Sequence, residues 1–222
     1  MAAHALQIEG LTVTARKGGR ILLEVPSLEV APGTSLGVRG PSGAGKSTLL
    51  YALAGLAPKM SGHVRWGAED LCQMSASQRT AFRAQNIGMI FQDFLLFEEL
   101  SAGANAALTA AFAPRQTRAA LRDRAAAHLT DLGIAEPARH VDGFSGGERQ
   151  RVAVARAIAA GAPILLADEP TASLQRAAAD MLSADLVRHA GQHGQTLIVV
   201  SHDDGLLDRM DRVIDLRDGR VA

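Results

Sequence analysis

From Gly40 to Thr48 the chain reads Gly-Pro-Ser-Gly-Ala-Gly-Lys-Ser-Thr, a run with three glycines, one lysine and little other side-chain bulk. Gly40, Gly45, Lys46 and Ser47 satisfy the spacing G-x-x-x-x-G-K-[ST]. Glycines let successive backbone N–H groups converge on an anion without Cβ clashes. A helix starting near Lys46 would aim the positive end of its dipole at the same point. The ammonium supplies a charge for β- and γ-phosphates, and the Ser47 hydroxyl supplies an oxygen for magnesium. Gly40, Pro41, Ser42, Gly43, Ala44, Gly45, Lys46, Ser47 and Thr48 are therefore expected to cradle a nucleotide.

Two further stretches carry chemistry. In "PILLADEPTAS" an apolar strand ends on Asp168 and Glu169. Adjacent carboxylates at a strand end point in different directions, so one can face a cation while the other faces an attacking water. Asp168 is the expected magnesium group and Glu169 the expected general base. In "FSGGERQRVAVARAI", Phe144 to Ile158, a small-residue loop leads into a helix for which Ser145 is a suitable N-cap. That offers a second anion site.

These stretches must be held by strands and helices in alternation. "LQIEGLTVT" (6–14) and "ILLEVPSLEV" (21–30) read as strands around the turn "RKGGR", which makes an antiparallel N-terminal sheet. "SLGVRG" feeds the glycine run, and "KSTLLYALAGL" is apolar at helical spacing. "NIGMIFQ", "PILLAD" and "TLIVVSH" have the short, bounded apolar character of buried strands, which points to a parallel core sheet. Between Ser101 and Ala160 the pattern turns alanine-rich and arginine-studded, an inserted helical subdomain without strand candidates. "DRVIDLRDGRVA" reads as two short strands around an Asp-Gly turn. The expected fold class is α/β: a P-loop NTPase core with a mostly parallel sheet, an antiparallel β subdomain and an inserted α-helical subdomain. All of it forms one domain, 1–222, with the core and β subdomain at about 1–92 and 161–222 and the helical subdomain at about 93–160.

Composition narrows the classes. Lys plus Arg, 23, balances Asp plus Glu, 23, so no global basic field favours nucleic acid or an anionic membrane. Cys72 is the single cysteine, which excludes an intrachain disulfide framework and suits a reducing, cytoplasmic compartment. Neither a secretory signal nor an apolar run of about 18 residues is present, so any membrane span is expected on another chain.

"GPSGAGKST", "FSGGERQ", "ILLADEP" and "VVSHD", with "NIGMIFQDFLLFEELSAGAN", together resemble ABC-type ATPases over nearly the whole chain, most closely the subgroup serving macrolide and lipoprotein export. The resemblance implies an ATP- and Mg2+-dependent ATPase. Two copies pair head to tail, and Ser145, Gly146, Gly147 and Glu148 of one close over ATP held by the other. It makes Glu169 the water-orienting base, has His202 hold the γ-phosphate and Glu169, and has Gln92 sense magnesium and water. It also implies docking on integral membrane permease subunits at the inner face of the membrane, and export or membrane extraction of a lipophilic or peptide-like substrate. Apolar Phe94–Phe97 after Gln92 is expected in the core, with a groove for a permease helix as the alternative. Departures from the family pattern are Arg16 where an adenine-stacking aromatic is usual, Gln175 for aspartate, Glu148 for glutamine, and Ala104 before Asn105. Arg16 could stack on the base through its guanidinium. The competing class is a soluble nucleotide-switched regulatory module with weak or no hydrolysis. His4, His63, His128, His140, His189 and His193 carry no signal.

Overall fold

The computed structural model describes residues 4–221. In chain order its strands and helices are β1 (Leu6–Thr14), β2 (Ile21–Val30), β3 (Ser35–Arg39), α1 (Lys46–Leu53), β4 (Met60–Trp66), β5 (Glu69–Asp70), α2 (Ala76–Asn86), β6 (Ile87–Ile90), α3 (Ala102–Ala106), α4 (Arg118–Asp131), α5 (Gly146–Ala159), β7 (Ile164–Asp168), α6 (Arg176–Gln192), β8 (Thr196–Val200), α7 (Asp204–Leu207), β9 (Arg212–Arg217) and β10 (Arg220–Val221). Among the described residues ten strands form one sheet in the order β5-β4-β1-β2-β10-β9-β3-β8-β7-β6. The half from β9 to β6 is parallel throughout. At the other end β2, β1, β4 and β5 pair antiparallel.

Burial follows the pleat. On β7, Ile164 and Leu166 pack with Leu49, Leu50 and Leu53 of α1 on one face of the sheet. Leu165 and Ala167 pack with Val154, Ile158, Leu182 and Leu186 of α5 and α6 on the other. A parallel sheet covered on both faces needs the unbroken apolar strands seen at β7 and β8, every residue of which is buried. Each fully buried leucine contributes about 2 kcal/mol. The sandwich thus fixes α1 and the end of β7 rigidly side by side.

Two devices complete the frame. Trp66 is fully buried and donates its indole N–H to the Leu53 carbonyl at 2.9 Å, fastening β4 to the end of α1. Asp218 and Gly219 both have positive φ, 48° and 75°, the twist a two-residue hairpin requires, and they return the chain from β9 to β10. Helices α3, α4 and α5 share a separate apolar cluster that includes Ala102, Ala106, Leu129, Val141, Phe144, Val152 and Ala155. Helix α5 therefore contributes to two cores at once, this one and the core beneath the sheet. Among the described residues no helix is long and apolar enough to cross a membrane.

Candidate functional site

The loop between β3 and α1 is shaped by what glycine alone permits. A Cβ on Gly40 would collide with the Leu216 carbonyl of β9, so the loop enters against bare backbone. Gly43 and Gly45 sit at φ 79° and 99°, left-handed conformations that a side chain would resist. Gly45 caps α1 without a side chain, and the first turn of α1 holds no acidic residue, so its N–H groups and dipole face the loop unopposed. Lys46 Nζ donates to the Gly40 carbonyl at 2.7 Å and the Pro41 carbonyl at 3.2 Å, which spans the loop from inside.

The end of β7 delivers two carboxylates to the same cleft. Asp168 is 3% exposed and its Oδ1 has no hydrogen-bond partner. Burial pushes its carboxyl above the usual range, while the Ser47 hydroxyl alongside opposes that shift. A buried carboxylate oxygen without a donor beside a serine hydroxyl is the hard-oxygen donor set that magnesium takes. Glu169 leaves the strand through a left-handed turn, φ 45°, anchored by its N–H to the Val200 carbonyl at 2.9 Å. Its Oε2 accepts from the Ser201 hydroxyl at 3.0 Å and the His202 N–H at 3.3 Å, and lies 2.9 Å from His202 Nδ1. The Glu169 oxygen accepts at each of these contacts, which makes His202 Nδ1–H the donor there. Oε1 lies 3.8 Å from Lys46 Nζ. One oxygen of Glu169 is thus tied down, and the other is left for chemistry.

Gly40–Gly43, Gly45–Thr48, Gln92, Asp168, Glu169 and His202, with Ala172, line a single cleft of about 610 Å³. Ala44 is buried behind the loop and does not line it. Arg16 is exposed in the β1–β2 turn, away from the cleft lining.

Ser145, Gly146, Gly147 and Glu148 also lie outside the cleft, at the start of α5. Ser145 and Glu148 form a reciprocal capping box there: the Ser145 N–H and hydroxyl donate to Glu148 Oε2 at 2.8 and 2.7 Å, and the Glu148 N–H returns to Ser145 Oγ at 3.3 Å. These bonds hold the Glu148 carboxyl below its usual range. A Cβ on Gly147 would press on Leu174, so this loop packs against the segment that follows Glu169.

The segment after Gln92 departs from expectation. Leu95 and Phe97 are 54% and 52% exposed rather than in the core. Phe94 and Leu95 hold positive φ, 59° and 48°, and the buried Arg156 of α5 donates to both their carbonyls, at 2.6 and 2.5 Å. That clamp keeps two apolar residues in a conformation they would otherwise avoid, with Phe94 half-buried and Leu95 exposed. Asn105, fully buried, accepts the Phe97 N–H and donates to the Phe97, Leu100 and Ser101 carbonyls. Sequence reasoning missed Arg156, Ser201 and Asp203 as site components. Only the Arg in "AVARAI", an arginine inside an otherwise apolar helical stretch, hinted at a buried partner.

A family model described as "ABC transporter" matches residues 23–172. The macrolide export ATP-binding/permease protein MacB of Sodalis glossinidius is 39% identical over 227 residues, covering all of this chain but 34% of that protein. This chain thus spans about a third of the MacB relatives' length. The lipoprotein-releasing system ATP-binding protein LolD 1 of Rhodospirillum rubrum is 37% identical over 225 residues, covering 100% of this chain and 99% of that one. Among solved structures, the dimeric bacterial ABC transporter cassette MJ0796 aligns with a TM-score of 0.87 at 32% identity, over 97% of this chain and 96% of that one. A second dimeric structure of MJ0796, in a post-hydrolysis state bound to ADP and Pi, aligns with a TM-score of 0.85 at 30% identity over the same shares.

Proposed function

The chain belongs to the ABC transporter family of ATP-binding cassettes, and from that membership we propose that it is the ATP-hydrolysing subunit of a membrane transporter. In this reading it works as a homodimer on permease chains at the inner face of the membrane. The two relatives named above carry the names of macrolide export and lipoprotein release, while another, 40% identical over the whole chain, is named for Fe(3+) import. Export, or extraction from the membrane, of a lipophilic or peptide-like substrate is the transport task the first two names favour.

The chemistry assigned to each residue rests on its position. The amides of Gly40–Thr48 and the Lys46 ammonium bind the triphosphate, and their preorganised dipoles match charge developing on the γ-phosphoryl group. Ser47, Asp168 and Gln92 would hold Mg2+, which when bound supplies charge neutralisation between the β- and γ-phosphates. The free oxygen of Glu169 orients a water and accepts its proton as the water attacks the γ-phosphorus, whose bond to the β–γ bridging oxygen breaks so that ADP leaves with the electron pair. His202 keeps Glu169 in place through Nδ1–H, and its ring lines the cleft on the side where it would contact the γ-phosphate. Ser145, Gly146, Gly147 and Glu148 stand exposed or half-buried outside the cleft, available to close over ATP held by a second copy. Arg16, exposed in the β1–β2 turn outside the cleft lining, is the residue proposed to stack its guanidinium on adenine.

The single observation that carries the reading is Glu169, with one oxygen immobilised by Ser201 and His202 and the other 3.8 Å from the lysine of the phosphate loop. Full-length protein given Mg2+ and ATP, alone and with candidate permease chains in vesicles, should release phosphate faster with the permease present. No release in either setting overturns the proposal. One feature favours the alternative of a nucleotide-switched module: Gln175, where the family pattern has aspartate, makes no capping bond at the head of α6. That alternative gives ATP-dependent dimerisation without phosphate release.

A further inference from the structure

We propose that Arg176 is a positioning residue for hydrolysis, gripping Asp203 so that the Ser201–Asp203 segment holds the Glu169 carboxylate in register. The inference rests on the ATPase reading above and assigns a part within it to a side chain on the opposite side of Glu169 from the phosphate loop.

Arg176 occupies the first position of α6. A cation there opposes the helix dipole, a cost that its i,i+4 pair with Asp180 offsets, and its contact with Asp203 lies outside the helix. It is retained by two carboxylates. Nη1 donates to Asp203 Oδ1 at 2.8 Å, and Nε and Nη2 bind Asp180 one turn along α6. The rigid fork of a guanidinium engages both at once, which an ammonium does not.

Asp203 is the node of the network. Its Oδ2 accepts the Thr171 hydroxyl at 3.0 Å, and its Oδ1 also accepts the Gly205 N–H at 3.1 Å. Its own N–H donates to Ser201 Oγ at 3.1 Å, and the Ser201 hydroxyl donates to Glu169 Oε2 at 3.0 Å. Thr171 lies two residues after Glu169 in the chain, and Ser201 and His202 bind its carboxylate. Asp203 therefore ties both flanks of Glu169 together, and Arg176 anchors Asp203 to α6. The Asp203 side chain is 13% exposed, so its charge needs a counter-ion, and Arg176 is the cation that reaches it. Room for that cation has been kept: a Cβ on Gly205 would overlap the Arg176 guanidinium.

The test compares wild type, Arg176→Ala, Arg176→Lys, Asp203→Asn and the double variant Arg176→Ala/Asp203→Asn. Steady-state ATPase kinetics are combined with amide hydrogen exchange of the 201–206 segment. Arg176→Ala should lower kcat about 5- to 20-fold with KM for ATP unchanged, and Arg176→Lys should recover part of the loss. In the Asp203→Asn background Arg176→Ala should add less than a twofold effect. Amides of Asp203 and Gly205 should exchange faster in Arg176→Ala with or without nucleotide. A kcat within twofold of wild type, a loss confined to KM, or independent multiplication of the two single effects overturns the proposal. If wild type releases no phosphate, the ATPase reading fails separately, and exchange still decides the clamp: faster exchange in Arg176→Ala upholds it, unchanged exchange removes it.

Discussion

Replacing Glu169 by Gln isolates the chemical step from the architecture around it. The amide oxygen of Gln can take the place of Oε2 and accept the same three donors from Ser201 and His202. The amide NH2 then occupies the place of Oε1, facing Lys46, where the wild-type oxygen lies 3.8 Å away. A water that met an acceptor now meets a donor, and no group within reach takes its proton. Loss of a positioned general base costs about 10²- to 10⁴-fold in turnover, or about 3–5 kcal/mol of barrier. Stability changes far less: three hydrogen bonds weaken from charge-assisted to neutral, while the cost of burying a charge disappears. A net change of about 1–1.5 kcal/mol in a domain of this size moves Tm by about 3–6 °C. ATP retention should hold or improve, because removing the carboxylate frees Lys46 from a competing anion. The assays are phosphate release under single-turnover conditions, equilibrium nucleotide binding and a thermal melt, each on wild type and Glu169→Gln. Turnover above a tenth of wild type, with binding and Tm intact, would refute the assignment of Glu169 as base.

Other consequences are as specific. Gly40→Ala drives a methyl into the Leu216 carbonyl and should cost about 2–3 kcal/mol together with nucleotide binding, whereas Gly43→Ala, with open space around it but φ of 79°, should cost only about 1 kcal/mol; chemical denaturation and ATP titration distinguish the two. Arg156→Met leaves the Phe94 and Leu95 carbonyls without their donors and should destabilise by about 1–3 kcal/mol, with accelerated proteolysis between residues 93 and 98 as the local readout. His189 lies against His128 and His193, and burial, with the charge of His193 and His128, pushes its pKa down to about 4 against the opposing pull of Asp131. The unfolded chain therefore binds a proton that the folded one refuses between about pH 6.5 and 4, so this contribution is full above that window and lost as pH falls through it. Because the ring is half exposed, the contribution is about 1–2 kcal/mol, and His189→Gln should flatten the stability profile over that window by that amount.

The loop from Gly40 to Thr48 was legible because its geometry is local. Backbone amides, glycine conformations, a lysine and a helix start lie within nine consecutive residues, Gly40 to Thr48. Strands β1, β2 and β7 were readable for the same reason, since one pleated segment carries its own alternation or its own unbroken apolar run. The sequence reading did not single out β4, β5, α2 or α6. These are more polar or mixed, and the sheet edge and the underside of the core decide their placement. The exposure of Leu95 and Phe97 was also hidden, because the backbone of this segment is held by contacts distant in sequence or buried within it: Arg156, about 60 residues away, on the Phe94 and Leu95 carbonyls, and the buried Asn105 on Phe97.

By itself the sequence determined the glycine loop at Gly40–Thr48, the acidic strand end and the capped helix at Ser145, since each is written in adjacent residues whose spacing dictates backbone geometry, while its resemblance to ABC-type ATPases carried the α/β fold class and the family. Tertiary structure alone decided which oxygen of Glu169 is immobilised, why Gly40 tolerates no side chain beside Leu216, and how Arg176 meets Asp203. Those outcomes depend on separations of a few ångströms between segments from 27 to more than 170 residues apart, set by how the two faces of one sheet are packed.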